Sequence, residues 1–68
     1  MNINFKTLNC DDEERIWSWS VEELEQNYWE SDDIPSLDDP VTYCEFAGKE
    51  LYFNTFEDLV FTFIGAID

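Results

Sequence analysis

Carboxylates are the side chains through which this chain could do chemistry. Its 68 residues include 17 Asp and Glu against three Lys and Arg, so the formal net charge at pH 7 is −14. Most of the acids fall in four clusters, at residues 11–14, 22–25, 30–33 and 38–39. Grouped carboxylates can act as general acid and base, bind a divalent cation or occupy a basic groove that normally holds phosphates. The other residue types decide among these three uses.

The sequence contains no histidine, the residue that most often acts as a general base in enzymes. It therefore has no imidazole base, no His-activated nucleophile and no His-based metal site. Cys10 and Cys44 are too few for a four-ligand zinc site and do not have the spacing of a redox motif. Gly48 and Gly65 stand alone, so no phosphate-binding loop is present. So short a chain seldom forms the cleft that a glycosidase-type carboxylate pair needs. We therefore expect no enzymatic activity and no cofactor.

Four aspartates crowd one short segment, which raises the question of calcium. Counted from Asp32, the sixth residue is Leu37 and the twelfth is Tyr43, whereas an EF-hand loop has Gly and Glu at these positions. Carboxylates without arranged carbonyl oxygens select poorly among cations. We therefore expect no specific metal site, and weak surface binding of divalent ions is the alternative.

The composition is that of a folded domain, although the charge works against compactness. Disordered acidic segments are poor in aromatic and branched apolar residues, whereas 44% of this chain is hydrophobic and 18% is aromatic. Its length lies near the lower limit for a domain that folds alone. We expect a single domain over residues 1–68, and the small core makes a homodimer an alternative to the monomer.

No segment predicts export or membrane insertion. Residues 1–7 lack the apolar run of a signal peptide, and the densest apolar stretch, residues 59–67, is shorter than a membrane span. We therefore expect a cytoplasmic protein without a membrane partner. In that compartment Cys10 and Cys44 are expected to be core residues or idle thiols rather than a disulfide.

Alternation and turn residues predict the strands. Residues 2–7 alternate polar and apolar side chains, as in a strand with one buried face. Residues 41–46 and 50–53 are rich in β-branched and aromatic side chains and flank a turn at residues 47–49, which predicts a β-hairpin. The N-terminal strand and the hairpin are expected to form one antiparallel sheet.

The middle of the chain is predicted to be helical and then irregular. Acids open residues 11–19, which favours one or two helical turns there. Ser20 and Glu23 have the spacing of a capping box at the start of a helix over Val21–Glu30. Prolines, aspartates and serines dominate residues 31–40, which are therefore expected to form a loop.

The C-terminal helix is predicted to close the core. Asn54 and Glu57 repeat the capping pattern, and apolar residues then recur at helical spacing. This apolar stripe consists of Phe56, Leu59, Val60, Phe63, Ile64 and Ile67. The expected fold class is α+β, a small domain in which an acidic helical segment and this amphipathic helix pack against the antiparallel sheet.

Two aromatic residues depart from these patterns. Trp29 falls among the carboxylates of Glu22 and Glu25 on the central helix, and interface hot spots are enriched in Trp and Tyr, so we expect Trp29 to contact a partner. Phe61 points about 140° away from the apolar stripe of the last helix. It is either covered by another element or exposed for binding, and the pattern leaves both readings open.

The acid clusters have a spacing that suits a basic groove. Helical residues three or four apart have Cβ atoms about 5 to 6 Å apart, a step comparable to that between successive phosphates of one DNA strand. Glu22 with Glu25, and Glu30 with Asp33, can repeat this step. The alternative is a solvated surface that only keeps the protein soluble.

In charge, length and aromatic content the chain resembles the small acidic DNA mimics of phages and mobile elements, among them anti-CRISPR proteins, anti-restriction proteins and uracil-DNA glycosylase inhibitors. The resemblance is to the class, and the chain carries no motif of any one family. It implies a non-catalytic inhibitor in the host cytoplasm that occludes the basic channel of a defence or repair complex without binding nucleic acid itself. Trp29, Trp17 or Trp19 would then anchor the contact inside an acidic rim.

This hypothesis selects clustered acids and one tryptophan as partner-binding residues: Glu13, Glu14, Glu22, Glu23, Glu25, Trp29, Glu30, Asp32, Asp33, Asp38 and Asp39. Two alternatives from other classes stay open. An antitoxin or immunity protein that neutralises a basic nuclease toxin would show the same acidity and the same lack of catalytic parts. A small acidic adaptor that binds a basic regulatory protein is the third alternative.

Overall fold

A computed structural model describes residues 1–65, which form a four-stranded antiparallel sheet with two helices. The elements are β1 (Asn2–Leu8), β2 (Glu14–Ser20), α1 (Val21–Glu30), β3 (Val41–Phe46), β4 (Lys49–Glu50) and α2 (Phe56–Ile64). The order of the strands in the sheet is β2-β1-β3-β4. The α+β class is confirmed, with one strand more than the sequence suggested. Ile67, the last residue of the predicted apolar stripe, lies outside the described residues.

The prediction of helical turns over residues 11–19 is wrong, because most of this segment is strand β2. It pairs with β1 over its whole length, from Asn2 opposite Ser20 to Leu8 opposite Glu14. Trp17 and Trp19 are two residues apart and both pack into the core, which is the period of a strand and not of a helix.

The acids before β2 belong to a hairpin turn. The side-chain oxygen of Asn9 accepts hydrogen bonds from the backbone N–H groups of Asp11 and Glu13, each at 2.9 Å. Asp12 adopts a left-handed backbone with φ of 61°, a conformation that Asn and Asp tolerate better than other non-glycine residues. Acids at the start of a segment are therefore typical of such a turn as well as of a helix N-terminus.

An aromatic cluster between the sheet and the helices forms the core. The buried apolar side chains are Ile3, Phe5, Trp17, Leu24, Cys44, Phe56, Leu59 and Val60. The ring of Phe5 stacks on Phe56 and on Trp17, with centroid distances of 5.9 and 6.2 Å. The indole N–H of Trp17 donates a hydrogen bond of 2.9 Å to the buried hydroxyl of Thr7. The most central polar groups of the core therefore satisfy each other.

Helix α1 begins and ends where the sequence places it, and its capping box is present. The Ser20 hydroxyl accepts the backbone N–H of Glu23 at 3.1 Å, and the Glu23 carboxylate accepts the backbone N–H of Ser20 at 3.2 Å. The connection from Ser31 to Pro40 is irregular apart from turns and one isolated bridge residue, as predicted.

The capping pattern predicted for α2 is wrong. The N-cap residue is Thr55, and it makes no side-chain capping bond. The backbone N–H groups of Phe56 and Glu57 instead donate to the carbonyl oxygens of Asp39 and Leu37, at 2.9 and 3.1 Å. A loop that is distant in sequence therefore satisfies the start of α2.

The C-terminal hairpin is confirmed, but its second strand is shorter than predicted. Strand β4 covers Lys49–Glu50 rather than residues 50–53. Ala47 and Gly48 both have positive φ, at 55° and 77°, which is the two-residue turn whose twist suits a tight hairpin. After β4 the chain still runs beside β3, where the Leu51 N–H donates to the Cys44 carbonyl oxygen at 2.8 Å and the Val41 N–H donates to the Asn54 carbonyl oxygen at 3.2 Å, but residues 51–53 are not strand residues.

Replacement of Thr7 by Val is expected to lower the free energy of unfolding by about 1 to 3 kcal/mol, because the indole N–H of Trp17 loses its buried acceptor. Urea denaturation measures this loss. In a Trp17→Phe background there is no indole N–H, so the same Thr7→Val change should cost much less. An equal cost in both backgrounds would show that the hydrogen bond is not its source.

Candidate functional site

The direction of the chain brings most of the acids to one end of the sheet. Strand β1 ends there at Leu8, the turn of residues 9–13 follows, and α1 returns there after β2 has run the other way. The Leu8 N–H donates to the carbonyl oxygen of Pro40 at 3.0 Å, which places the loop of residues 31–40 at the same end. Helix α2 starts there too, because its first N–H groups bond to that loop.

We call this surface the acidic end. It consists of Asp11, Asp12, Glu13, Glu14, Glu30, Asp32, Asp33, Asp38, Asp39, Glu57 and Asp58. All of these side chains are exposed except that of Asp39, which is half-buried. Four separate segments of the chain therefore present their carboxylates to solvent at the same end.

Little positive charge offsets the acidic end. Within residues 1–65 there are two ion pairs. A guanidinium nitrogen of Arg15 lies 3.3 Å from Oδ1 of Asp33, and Nζ of Lys6 lies 4.0 Å from Oε1 of Glu14. The third cation, Lys49, begins strand β4 beside the hairpin turn at the opposite end of the sheet. The acidic end therefore keeps a strongly negative potential, and exposed pairs such as these change the energy little.

The predicted partner-binding residues divide into two groups. The structure brings together Glu13, Glu14, Glu30, Asp32, Asp33, Asp38 and Asp39 at the acidic end. Glu22 and Glu23 lie in the first turn of α1, about 12 Å along the helix axis from its last turn, and Glu25 lies between them and the acidic end. Sequence reasoning left out Asp11, Asp12, Glu57 and Asp58, which only the chain reversals bring to the same end.

Trp29 has the exposure of a contact residue. Its side chain is 55% exposed and lines a shallow groove on α1 together with Glu22, Glu25, Gln26 and Glu30. The ring of Tyr28 meets it edge-on at 4.9 Å, which steadies the indole. An aromatic face flanked by carboxylates suits a Lys or Arg side chain through cation–π and ionic contact.

The other two tryptophans serve the core. Trp17 is buried and Trp19 is half-buried, and their rings lie 5.0 Å apart beside Phe5. Of the three candidates for an apolar anchor, the structure therefore favours Trp29.

Phe61 is exposed rather than covered by another element. It is 60% exposed, and Tyr52 nearby is 83% exposed. Both line a shallow depression with Asn54 and Asp58. Tyr52 was part of a predicted strand, but β4 ends at Glu50. These two rings form a second aromatic surface, separate from the groove at Trp29.

The Cys44 thiol and the Tyr52 phenol both have raised pKa values. Burial raises the pKa of the Cys44 thiol to about 11, and the negative charge of Glu45 contributes to the shift. This thiol therefore stays protonated at neutral pH. Cys10 is an exposed free thiol. The Tyr52 hydroxyl donates a hydrogen bond to Glu50, which raises the pKa of the phenol further.

Within residues 1–65, no three acidic or thiol side chains converge where a metal ion could bind. Neither of the two helices described there has the length and apolar character needed to cross a membrane.

Comparisons with protein-family models, with curated proteins and with solved structures find no match to this chain. The resemblance to acidic DNA mimics thus remains one of charge, size and aromatic content.

Glu30 lies in the last turn of α1, where a negative charge destabilises the helix. The last turn of α1 contains no basic residue, and a carboxylate there opposes the negative end of the helix dipole. Glu30→Gln is expected to raise the free energy of unfolding by about 0.3 to 1 kcal/mol at low ionic strength, measured by urea denaturation.

The matched control is Glu22→Gln, which removes the same charge from the first turn of α1. There the carboxylate favours the helix dipole, so this variant should be no more stable than the parent protein. If both variants gain stability equally, net charge and not the position on the helix is responsible.

Proposed function

We propose that this protein is a non-catalytic inhibitor that binds the basic nucleic-acid-binding surface of another protein or complex, in the manner of anti-CRISPR and anti-restriction DNA mimics. One observation carries the proposal. Carboxylates from four separate segments are exposed at one end of the domain, and a half-exposed tryptophan lies among further carboxylates on the adjoining helix.

The amount of charge matches that of DNA over the same length. Duplex DNA carries one negative charge per about 1.7 Å of its axis, so a length equal to the 28 Å extent of the domain carries about 16 phosphates. The chain carries a formal net charge of −14, which is close to this number. A groove lined with Lys and Arg can therefore exchange one polyanion for the other.

The sign of the charge selects the partner. The acidic end repels phosphates, which argues against direct binding of nucleic acid or of an anionic lipid surface. It attracts clustered Lys and Arg side chains, and long-range attraction of this kind mainly accelerates association. Trp29 adds an aromatic ring that a partner can desolvate, and such anchors mainly slow dissociation.

Affinity capture tests the proposal with the full chain. The immobilised protein should retain from a bacterial lysate a nucleic-acid-binding protein or complex that short duplex DNA then releases. Retention should fall as NaCl rises from about 0.1 M to about 1 M, because the screening length falls from about 10 Å to about 3 Å. A retained partner that DNA does not displace, or that binds equally well in high salt, would contradict charge mimicry.

Two double variants then separate the acidic end from net charge. Asp32→Asn with Asp38→Asn removes two charges at the acidic end, whereas Glu45→Gln with Glu50→Gln removes two charges at the opposite end. The first pair should slow association with the captured partner several-fold, and the second should change it less. Equal effects would mean that net charge alone attracts the partner.

Trp29→Ala should weaken binding to the captured partner by about 2 kcal/mol, which is about 30-fold, mainly through faster dissociation. Surface plasmon resonance separates the two rate constants. Tyr52→Ala is the matched control, because it removes an exposed ring outside the Trp29 groove. If both variants bind as tightly as the parent protein, Trp29 is not the anchor.

A further inference from the structure

Strand β2 forms an open edge of the sheet. The strand order is β2-β1-β3-β4, so β2 has a neighbour on one side only. Among residues 1–65, no loop donates or accepts a backbone hydrogen bond at residues 14–20. An edge of this kind presents unpaired N–H and C=O groups that can template another strand. The opposite edge, β4, has only two residues.

This edge lacks the features that usually prevent strand addition. Proteins protect edges with short strands, bulges, prolines or charges, Lys above all. β2 has seven residues, pairs with β1 without a register shift and contains neither Pro nor Lys. Its charged residues, Glu14 and Arg15, come first, and residues 16–20 carry no charge. Ile16 is 75% exposed on the sheet face opposite the helices.

We propose that β2 pairs antiparallel with β2 of a second copy of this chain and joins the two sheets into one. The charge distribution limits the repulsion between two such copies. A two-fold antiparallel pair reverses the chain direction, so the two acidic ends lie at opposite ends of the joined sheet and repel each other least. A basic partner would be drawn to the acidic end instead of to the uncharged residues 16–20.

The pairing also covers the exposed isoleucine. Opposing residues of an antiparallel pair lie on the same face, so Ile16 meets Ile16 or Ser18 of the second copy. A single strand pair buries less than the roughly 800 Å² per partner of a standard interface. The dimer is therefore weak and its population depends on concentration. It leaves both acidic ends accessible and does not rest on the proposed inhibitory function.

Salt should strengthen the proposed dimer, whereas it should weaken binding to a basic partner. Raising NaCl from about 0.01 M to about 1 M shortens the screening length from about 30 Å to about 3 Å, which weakens the repulsion between two chains of net charge −14. Sedimentation equilibrium of the full chain should therefore show a monomer–dimer equilibrium whose dissociation constant decreases with salt. Binding to a basic partner weakens over the same range, so the two proposals can fail independently.

Ile16→Lys tests whether β2 is the interface. It should raise the dimer dissociation constant at least about 10-fold, even though it makes each chain less negative, because it places a lysine on the edge. Tyr52→Lys makes the same charge change away from β2 and should not weaken the dimer. Far-UV circular dichroism checks that both variants keep the fold.

Hydrogen exchange supplies the second measurement. Those amides of residues 14–19 that do not already bond to β1 should exchange more slowly as the protein concentration rises, while those of β4 should not change. A chain that stays monomeric up to about 1 mM at both salt concentrations overturns the proposal. A dimer that Ile16→Lys does not weaken, or one that forms without protecting these amides, overturns it as well.

Discussion

Repulsion among the carboxylates of the acidic end is the constraint against which the rest of the structure has to hold. The aromatic cluster around Phe5 supplies most of the opposing free energy, since burial of large rings is the strongest stabilising term available to so small a domain. Backbone bonds from Leu8 to Pro40 and from Phe56 to Asp39 fasten the acidic loop to the sheet and to α2. Arg15 links the aromatic cluster to the acidic end, because its guanidinium lies over the Trp17 ring at 4.3 Å and also pairs with Asp33.

The distribution of local signals explains which elements could be predicted from the sequence. Helix α1 was predicted with its boundaries, since its capping box involves only Ser20 and Glu23, which are close in sequence. Residues 14–19 were mistaken for helix because a run of acids suits a turn as well as a helix N-terminus, and the two-residue spacing of Trp17 and Trp19 was the better signal. The start of α2 was misjudged for another reason, since its cap comes from carbonyl groups of a loop that is distant in sequence.

The acidic end could be predicted only in part, because the chain reversals of the fold bring its residues together from distant parts of the sequence. Each cluster is visible in the sequence, and spacing along a helix suggested that Glu22 with Glu25, and Glu30 with Asp33, repeat a phosphate-like step on the surface. The structure instead gathers acids from the β1–β2 turn, the loop before β3 and the start of α2. No periodicity relates Asp12 to Asp38 or Asp58. Trp29 was identified correctly as exposed because its helical neighbours are all polar, which is information that the local sequence does contain.

The uneven distribution of charge supports the proposed binding surface over a surface that serves solubility alone. Solubility depends mainly on net charge, so seventeen acids spread evenly over the domain would serve it equally well. Crowding eleven of them at one end raises their Coulomb energy, because these pairs lie closer together. Placing Glu30 at the C-terminus of α1 adds a further unfavourable contact with the helix dipole. A partner that brings Lys and Arg to this end would relieve both costs at once, which supports the proposal of a cationic groove as the counterpart of the acidic end.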